Sequence, residues 1–269
     1  MISIITTFFN AERYILDCIL SVQKSKNFRQ IEHILINDGS TDASEEIVRA
    51  SCKANQILIN SKKIGRGKAL NLGLTYAKHD LISILDSDDM INPGWIDAFF
   101  ESKIKALLYD EDNFVFFGKN EIIDEMGASR KRFISSPQIK FSNKLKKNKL
   151  FFFNPVPHLG VVFRKPNIPS LMYSSTLSSQ LDWDLWFRIL EANKDFIFID
   201  LLSGMKRLHK DQSFERNKHI RYTLSGVKLQ TIWTYRMQPL LLPMVIIVAL
   251  ARIFWAFIPP KLRYLVYRF

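Results

Sequence analysis

Apolar and polar residues alternate in blocks along the first hundred residues. Ile2 to Phe8 is an apolar, β-branched run that predicts a strand. Asn10 then precedes Ile15, Cys18, Ile19 and Val22, spaced i, i+3, i+4, i+7 on one helical face, so Asn10 is expected to cap a helix. Ile31 to Ile36 predicts a second strand, and the turn Asp38-Gly39-Ser40-Thr41-Asp42 opens a helix through Ile47 and Ala54. Ile57 to Asn60, Ala69 to Ala77 and Leu81 to Leu85 continue as strand, helix, strand. Asn92-Pro93 has the form of an N-cap with proline at the first helical position, leading into a helix over Trp95 to Leu108. Strands and helices alternating over short connections predict an α/β fold with a parallel sheet.

The middle of the chain is less regular. Asn113 to Gly118, Leu159 to Arg164 and Phe196 to Ile199 read as strands, and Asp182 to Glu191 as a helix. After about residue 220 the character changes: Pro239 to Ile258 is nearly all apolar, broken by Pro243 and Arg252. The expected division is residues 1–219 as an α/β domain and residues 220–269 as apolar helices that meet a membrane. From Met244 such a helix reaches about 22 Å, short of a hydrocarbon core of about 30 Å. Arg252 in mid-span costs roughly 2.5–3.5 kcal/mol on insertion scales. An in-plane amphipathic anchor, a spanning helix and a helix packed on the protein itself all remain open.

Composition and charge sharpen this picture. The 269 residues are 47% hydrophobic, enough for one sizeable core, and mean hydropathy near zero points to apolar surface meeting lipid or a partner. The net charge is +12, concentrated in Arg130, Lys131, Arg132, Lys140, Lys144, Lys146, Lys147 and Lys149, and again in Lys261, Arg263 and Arg268. Such patches attract anionic lipid or nucleic acid, and the first suits a solvated loop equally well. No helix-turn-helix, zinc-finger or RNA-binding signature accompanies them, so no nucleic-acid partner is expected. Cys18 and Cys52 form no disulfide framework and fit a reducing cytosol. The N-terminus runs straight into an apolar strand pattern without a basic n-region, long h-region or cleavage site, so no signal peptide is expected. The expected location is the cytoplasmic face of the plasma membrane.

Ligands of an open parallel sheet bind beyond the carboxyl ends of its strands. Thr7 to Glu12 follows the first strand, Asp38 the second and Asp86-Ser87-Asp88-Asp89 the fourth. Asp38 or Asp42 alone would simply cap a helix, but Asp86, Asp88 and Asp89 repel one another unless a cation neutralises them. Oxygen-only ligands at alternate positions suit Mg²⁺ or Mn²⁺ completed by phosphate oxygens. Gly65-Arg66-Gly67-Lys68 lacks the spacing and the Ser/Thr of a phosphate-binding P-loop.

Seven segments, in order, resemble the motifs of family 2 glycosyltransferases with the GT-A fold. They are Thr7-Phe8-Phe9-Asn10-Ala11-Glu12, Asn37 to Asp42, Gly65 to Asn71, Leu85 to Asp89, Asn154-Pro155-Val156-Pro157-His158, Asp182 to Arg188, and Arg207-Leu208-His209. The resemblance spans about residues 1 to 215. It implies an inverting, metal-dependent transferase of the hexosyl or N-acetylhexosaminyl type, acting on a nucleotide-sugar donor, with UDP typical. The acceptor it implies is a glycan or lipid-linked glycan of cell-surface polysaccharide synthesis. Asp38 would meet the base, with Thr7, Phe9, Asn10 and Glu12 lining that pocket. Asp88 would be the main metal ligand, Asp86 would help hold the metal or the ribose, and His209 would be a further metal or phosphate ligand. Arg66, Lys68 and Arg207 would face the diphosphate, and Asp182 would be the catalytic base. His158 would shape the acceptor side, and Asp184 would be structural.

The chain departs from the family pattern at Thr7 (usually proline), Phe9 (tyrosine), Asn37 (aspartate), Leu70 (often arginine) and Leu181 (often glutamate). The Leu70 departure leaves any diphosphate contact there to Arg66 or Lys68. Two other classes compete. A non-catalytic nucleotide-sugar-binding membrane scaffold would have no need of both Asp88 and Asp182. A nucleotidyltransferase would want a glycine-rich basic loop where Thr7 to Arg13 stands.

Overall fold

The computed structural model describes residues 1–101, 104, 107–108, 113–134, 143–144, 147–165, 172–209 and 219–257. Its strands are β1 (Ile2–Phe8), β2 (Ile31–Asp38), β3 (Gln56–Ser61), β4 (Leu81–Ile84), β5 (Met90–Ile91), β6 (Asn113–Ile123), β7 (Ser129–Ile134), β8 (Asn143–Lys144), β9 (Val162–Arg164) and β10 (Asp195–Arg207). The helices are α1 (Ile15–Gln23), α2 (Ser44–Ser51), α3 (Arg66–Tyr76), α4 (Pro93–Ala98), α5 (Leu181–Glu191), α6 (His219–Met237) and α7 (Leu242–Phe257).

One sheet runs in the order β3-β2-β1-β4-β9-β6-β10-β5, with β7 beside β6 and β8 beside β10. β1 pairs parallel with β2 and β4, β2 with β3, and β6 with β10. β9 runs antiparallel between β4 and β6, and β5 antiparallel to β10, so the sheet is mixed. The registers Phe8↔Asn37, Asp38↔Ser61 and Ile5↔Ile84 bring the carboxyl ends of β1 to β4 to one edge.

All eight residues of β2 are buried, the condition of a parallel strand covered on both faces and the reason its sequence is an apolar run. Ile2 and Ile4 pack in one core cluster with Cys18, Val22, Trp95 and Phe116. Phe8 packs in another with Ile15, Ile19, Leu35 and Val48. Among the polar groups inside, Ser3 Oγ donates to Glu32 Oε2 at 2.7 Å, and Trp95 Nε1 to the Gly160 carbonyl at 2.6 Å.

His33, fully buried in β2, lies 3.0 Å from Thr6 Oγ1 and 2.9 Å from Gln56 Nε2, and burial pushes its pKa down to about 3. The folded state thus refuses a proton that the unfolded chain takes up near pH 6.5. The stability this gives is complete above pH 6.5 and lost as pH falls from there toward 3, by up to tenfold in the folding equilibrium per pH unit. Denaturant melts at pH 7 and pH 4.5 should lose stability more steeply for the wild type than for His33→Gln; parallel declines would contradict this.

Four expectations are corrected. Asn10 does not cap α1: it sits in the left-handed region at φ 52°, its side chain is engaged with Thr41, and the helix begins later, at Ile15. The helix expected over Trp95 to Leu108 is interrupted after α4, where Phe99, Phe100 and Glu101 donate to carbonyls three residues back and tighten the turn; Ile104 and Leu107 beyond it are again helical. Its start is as expected, with Asn92 Oδ1 accepting from Gly94 N at 2.9 Å and Pro93 at N1. β6 and β10 continue well beyond their apolar runs because each supplies the other's ladder, with Met205↔Glu121 and Arg207↔Ile123 at the far end.

The chain divides into two compact units: Met1–Lys146 with Pro155–Leu208, and Lys147–Asn154 with His209–Phe269. The second holds α6 and α7 and also takes in residues 147–154, where Gln230 Nε2 donates to the Phe151 carbonyl. The side chains of Arg130, Lys131, Arg132, Lys140, Lys144 and Lys146, and all of residues 258–269, lie outside the described residues.

Candidate active site

The loop after β1 is pinned to the turn after β2. Asn10 Oδ1 accepts the Thr41 N–H at 2.8 Å, Glu12 Oε2 accepts the Ala43 N–H at 3.1 Å, and Asp42 Oδ2 accepts the Glu12 N–H at 3.1 Å. Asn10 and Glu12, expected to line a base pocket, thus also fix its wall. Thr7 is half-buried at the end of β1, and the exposed Phe9 ring carries the Lys63 ammonium 3.8 Å from its centroid. Asp38, buried at the end of β2, accepts N–H bonds from Ile64 at 2.7 Å and Gly65 at 3.0 Å. A carboxylate has about four lone-pair sites, so acceptor capacity remains for a base N–H. Asp38 thereby ties the mouth of β2 to the start of α3.

Arg66 opens α3 next to Gly65, which holds φ 90°. Two cations, Arg66 and the exposed Lys68, share this helix N-terminus, where the backbone dipole already favours an anion. The Arg66 guanidinium pairs with Asp86, and its Nη2 lies 3.1 Å from His158 Nδ1. Burial pulls the Asp86 carboxyl upward, but the Arg66 charge outweighs it and holds Asp86 well below the usual carboxylate range. Gly67 sets the next juxtaposition: a Cβ there would overlap the Ser174 carbonyl and meet Leu181 Cδ2 at 3.2 Å. That close approach seats the start of α3 against the start of α5. Asp182, in the first turn of α5, falls within electrostatic reach of Arg66 and Tyr173.

The acidic turn divides its members. Asp86 faces Arg66, and Asp88 is half-buried. Asp89 is buried and accepts the Arg207 N–H at 2.8 Å; burial first, then the charges of Asp88 and Asp86, raises its carboxyl well above the usual range. Arg207, expected at the diphosphate, is 1% exposed beneath this turn. Its Nε donates to the Asp88 carbonyl at 3.0 Å, Nη1 to the Glu125 carbonyl at 2.8 Å and Nη2 to Asp17 at 2.7 Å, with the Tyr14 ring 4.9 Å away. This geometry supports positioning of the acidic turn. His209 is half-buried and belongs to the second compact unit.

The concentration of charge that raises Asp89 is what a hard divalent cation relieves. Among the described residues no three His, Cys, Asp or Glu side chains form a ready cage. Were Mg²⁺ or Mn²⁺ to bind here, Asp88 and Asp86 would be the carboxylates to hold it, with phosphate oxygens completing the shell. Asp184, read from sequence as structural, is 8% exposed and pairs with Arg188 at 2.8 Å one turn on. Sequence reasoning missed Tyr173 and the Asp17–Arg207–Glu125 linkage; neither has a local signal, because each joins residues far apart in the chain.

A mixed sheet flanked by helices, with an acidic turn after β4, has the architecture of the GT-A fold. Residues 3–162 match the family model described as glycosyl transferase family 2, and the chain belongs to that family. It is 30% identical over 175 residues to glycosyltransferase GlyG of Streptococcus pneumoniae, covering 56% of this chain and 58% of that protein. An uncharacterised glycosyltransferase of Methanocaldococcus jannaschii is 25% identical over 239 residues, covering 86% of this chain and 76% of that one. Among solved structures, residues 1–349 of S. aureus TarS align with a TM-score of 0.64 at 16% identity, over 93% of this chain and 71% of that one. TarS 1–349 in complex with UDP-GlcNAc aligns with a TM-score of 0.63 at 18% identity, over 86% of this chain and 66% of that one. At these identities the TarS likeness speaks for the fold.

Proposed function

We propose that this chain is an inverting glycosyltransferase that moves a sugar, of hexosyl or N-acetylhexosaminyl type, from a UDP-sugar to a hydroxyl of a glycan or lipid-linked glycan in cell-surface polysaccharide synthesis. The observation that carries this is the continuity of the site: Asp38 binds the backbone at residues 64–65, Arg66 pairs with Asp86, and Asp182 lies in the field of Arg66. The base, diphosphate and acceptor sites would then follow one another from the end of β2, past the start of α3, to the start of α5. The complex of TarS with UDP-GlcNAc supports a UDP-linked donor.

In this reading Asp38 accepts a base N–H and Phe9 offers its ring face. Arg66 and Lys68, at the positive end of α3, meet the diphosphate. Asp86 serves the metal and the ribose. A divalent cation held by Asp88 and Asp86 would stabilise charge on the departing diphosphate. Asp182 takes the proton of the acceptor hydroxyl as its oxygen attacks the anomeric carbon and the bond to the diphosphate breaks, which inverts that centre. Arg207 holds the acidic turn in place from below. Incubating the purified chain with a panel of nucleotide sugars and Mn²⁺ should release free UDP from at least one; release from none would contradict the proposal.

The C-terminal helices support a seat on the cytoplasmic face of the membrane. Pro239–Phe257 is long and apolar enough to cross a bilayer, and it exposes Met244, Ile247, Leu250, Phe254 and Phe257 along one side. Arg252 is turned the other way, its Nη1 donating to Gln230 Oε1 of α6 at 3.0 Å. Threading α7 through hydrocarbon would carry that polar pair inside, so an in-plane anchor is favoured, with lipid meeting the apolar side of α7. Flotation with anionic vesicles should recover the wild type and recover Leu250→Glu/Phe254→Glu about tenfold less. Equal recovery would place the contact elsewhere.

A further inference from the structure

A buried chain of hydrogen bonds ends on Arg66. Its Nη2, the atom paired with Asp86, also donates to His158 Nδ1. A guanidinium has no acceptor, so Nδ1 carries the lone pair and the ring proton sits on Nε2. That tautomer sets the next contact, Nε2–H donating to Tyr173 Oη at 2.9 Å. Asn71 clamps the Tyr173 backbone from both sides: its Nδ2 donates to the Tyr173 carbonyl at 2.8 Å and its Oδ1 accepts the Tyr173 N–H at 2.8 Å. His158 and Tyr173 are 9% and 3% exposed and meet edge to face at 5.6 Å. The Arg66 side chain, in contrast, is 48% exposed. A half-exposed arginine ordinarily spends its rotamer freedom in solvent, and an ion pair at such a site holds it weakly.

We infer that His158, set by Tyr173 and Asn71, is a positioning residue that fixes the Arg66 guanidinium beside Asp86 and leaves its other N–H groups for the diphosphate of the donor. This rests on the nucleotide-sugar reading above. His158 touches neither metal nor sugar in this role; it acts through Arg66. Without it the guanidinium keeps its charge but loses its preset orientation, so recognition of diphosphate suffers while recognition of the nucleoside does not.

Calorimetric titration of the full chain with UDP and with uridine, Mn²⁺ present, separates the possibilities. His158→Ala should weaken UDP about tenfold and leave uridine unchanged, and Tyr173→Phe should weaken UDP about threefold. His158→Asn, whose side-chain oxygen can accept from Arg66 where Nδ1 did, should recover most of the affinity lost in His158→Ala. Combining His158→Ala with Arg66→Ala should weaken UDP no further than Arg66→Ala alone, because both remove one interaction. Unchanged UDP affinity in His158→Ala, equal losses for UDP and uridine, or fully additive losses with Arg66→Ala would each overturn the inference. A wild type that binds neither UDP nor uridine would overturn the donor reading and this inference with it.

Discussion

Replacing Asp182 by asparagine is expected to lower sugar transfer by about 10²- to 10⁴-fold while leaving UDP affinity within about twofold. The amide keeps the size of the side chain and its place in the first turn of α5 but cannot accept the acceptor's proton. The helix itself is secured elsewhere: Trp183, Trp186 and Phe187 are at most 1% exposed, Trp186 Nε1 donates to the Val156 carbonyl at 3.2 Å, and Asp184 pairs with Arg188. The melting temperature should therefore stay close to wild type, so lost transfer reports on chemistry. Transfer undiminished in Asp182→Asn would remove the base from this position. It would also revive the scaffold reading, in which nothing on α5 needs to ionise.

The second large effect is expected at Asp88. Asp88→Ala should reduce transfer by about 10³-fold and abolish the response to Mn²⁺, because stabilisation of a leaving diphosphate by a divalent cation is worth several kcal/mol, each 1.36 kcal/mol a factor of ten. The turn should survive the change. It is held through the Asp88 carbonyl, which accepts from Arg207 Nε, and through Asp89, which accepts the Arg207 N–H; neither bond uses the Asp88 side chain. Steady-state rates across a Mn²⁺ titration check this. A variant that still responds to Mn²⁺ with wild-type half-saturation would move the cation away from Asp88.

Much of this site was legible because its parts are local. The apolar runs that make β1, β2 and β4 each end in the polar residues that matter, at Thr7, Asp38 and Asp86, and a parallel sheet sends those ends to one edge. Asn92-Pro93 marked the start of α4 for the same reason, since a cap bonds within two residues. What escaped depends on residues remote in sequence. The far half of β10 is a strand because β6 and β5 pair with it, although Ser203, Gly204 and Lys206 carry no strand pattern. Asn10 looks like a cap until Thr41, thirty-one positions on, claims its side chain. Arg207 reads as a phosphate ligand beside His209, yet its partners Asp17, Asp88 and Glu125 draw it beneath the acidic turn. Tyr173 meets His158 only because Asn71, from α3, clamps its backbone. Local pattern brought the carboxylates to one edge of the sheet, and only tertiary packing determined which cations pair with them.

The most direct measurement is calorimetric titration of the chain with UDP-sugars in the presence of Mn²⁺, for the wild type and for Asp38→Ala and Asp88→Ala. Saturable binding at one site per chain, competed by UDP and weakened at least tenfold by each substitution, is the predicted result. Binding of no UDP-sugar, or binding that neither substitution weakens, would contradict a donor site at this edge of the sheet.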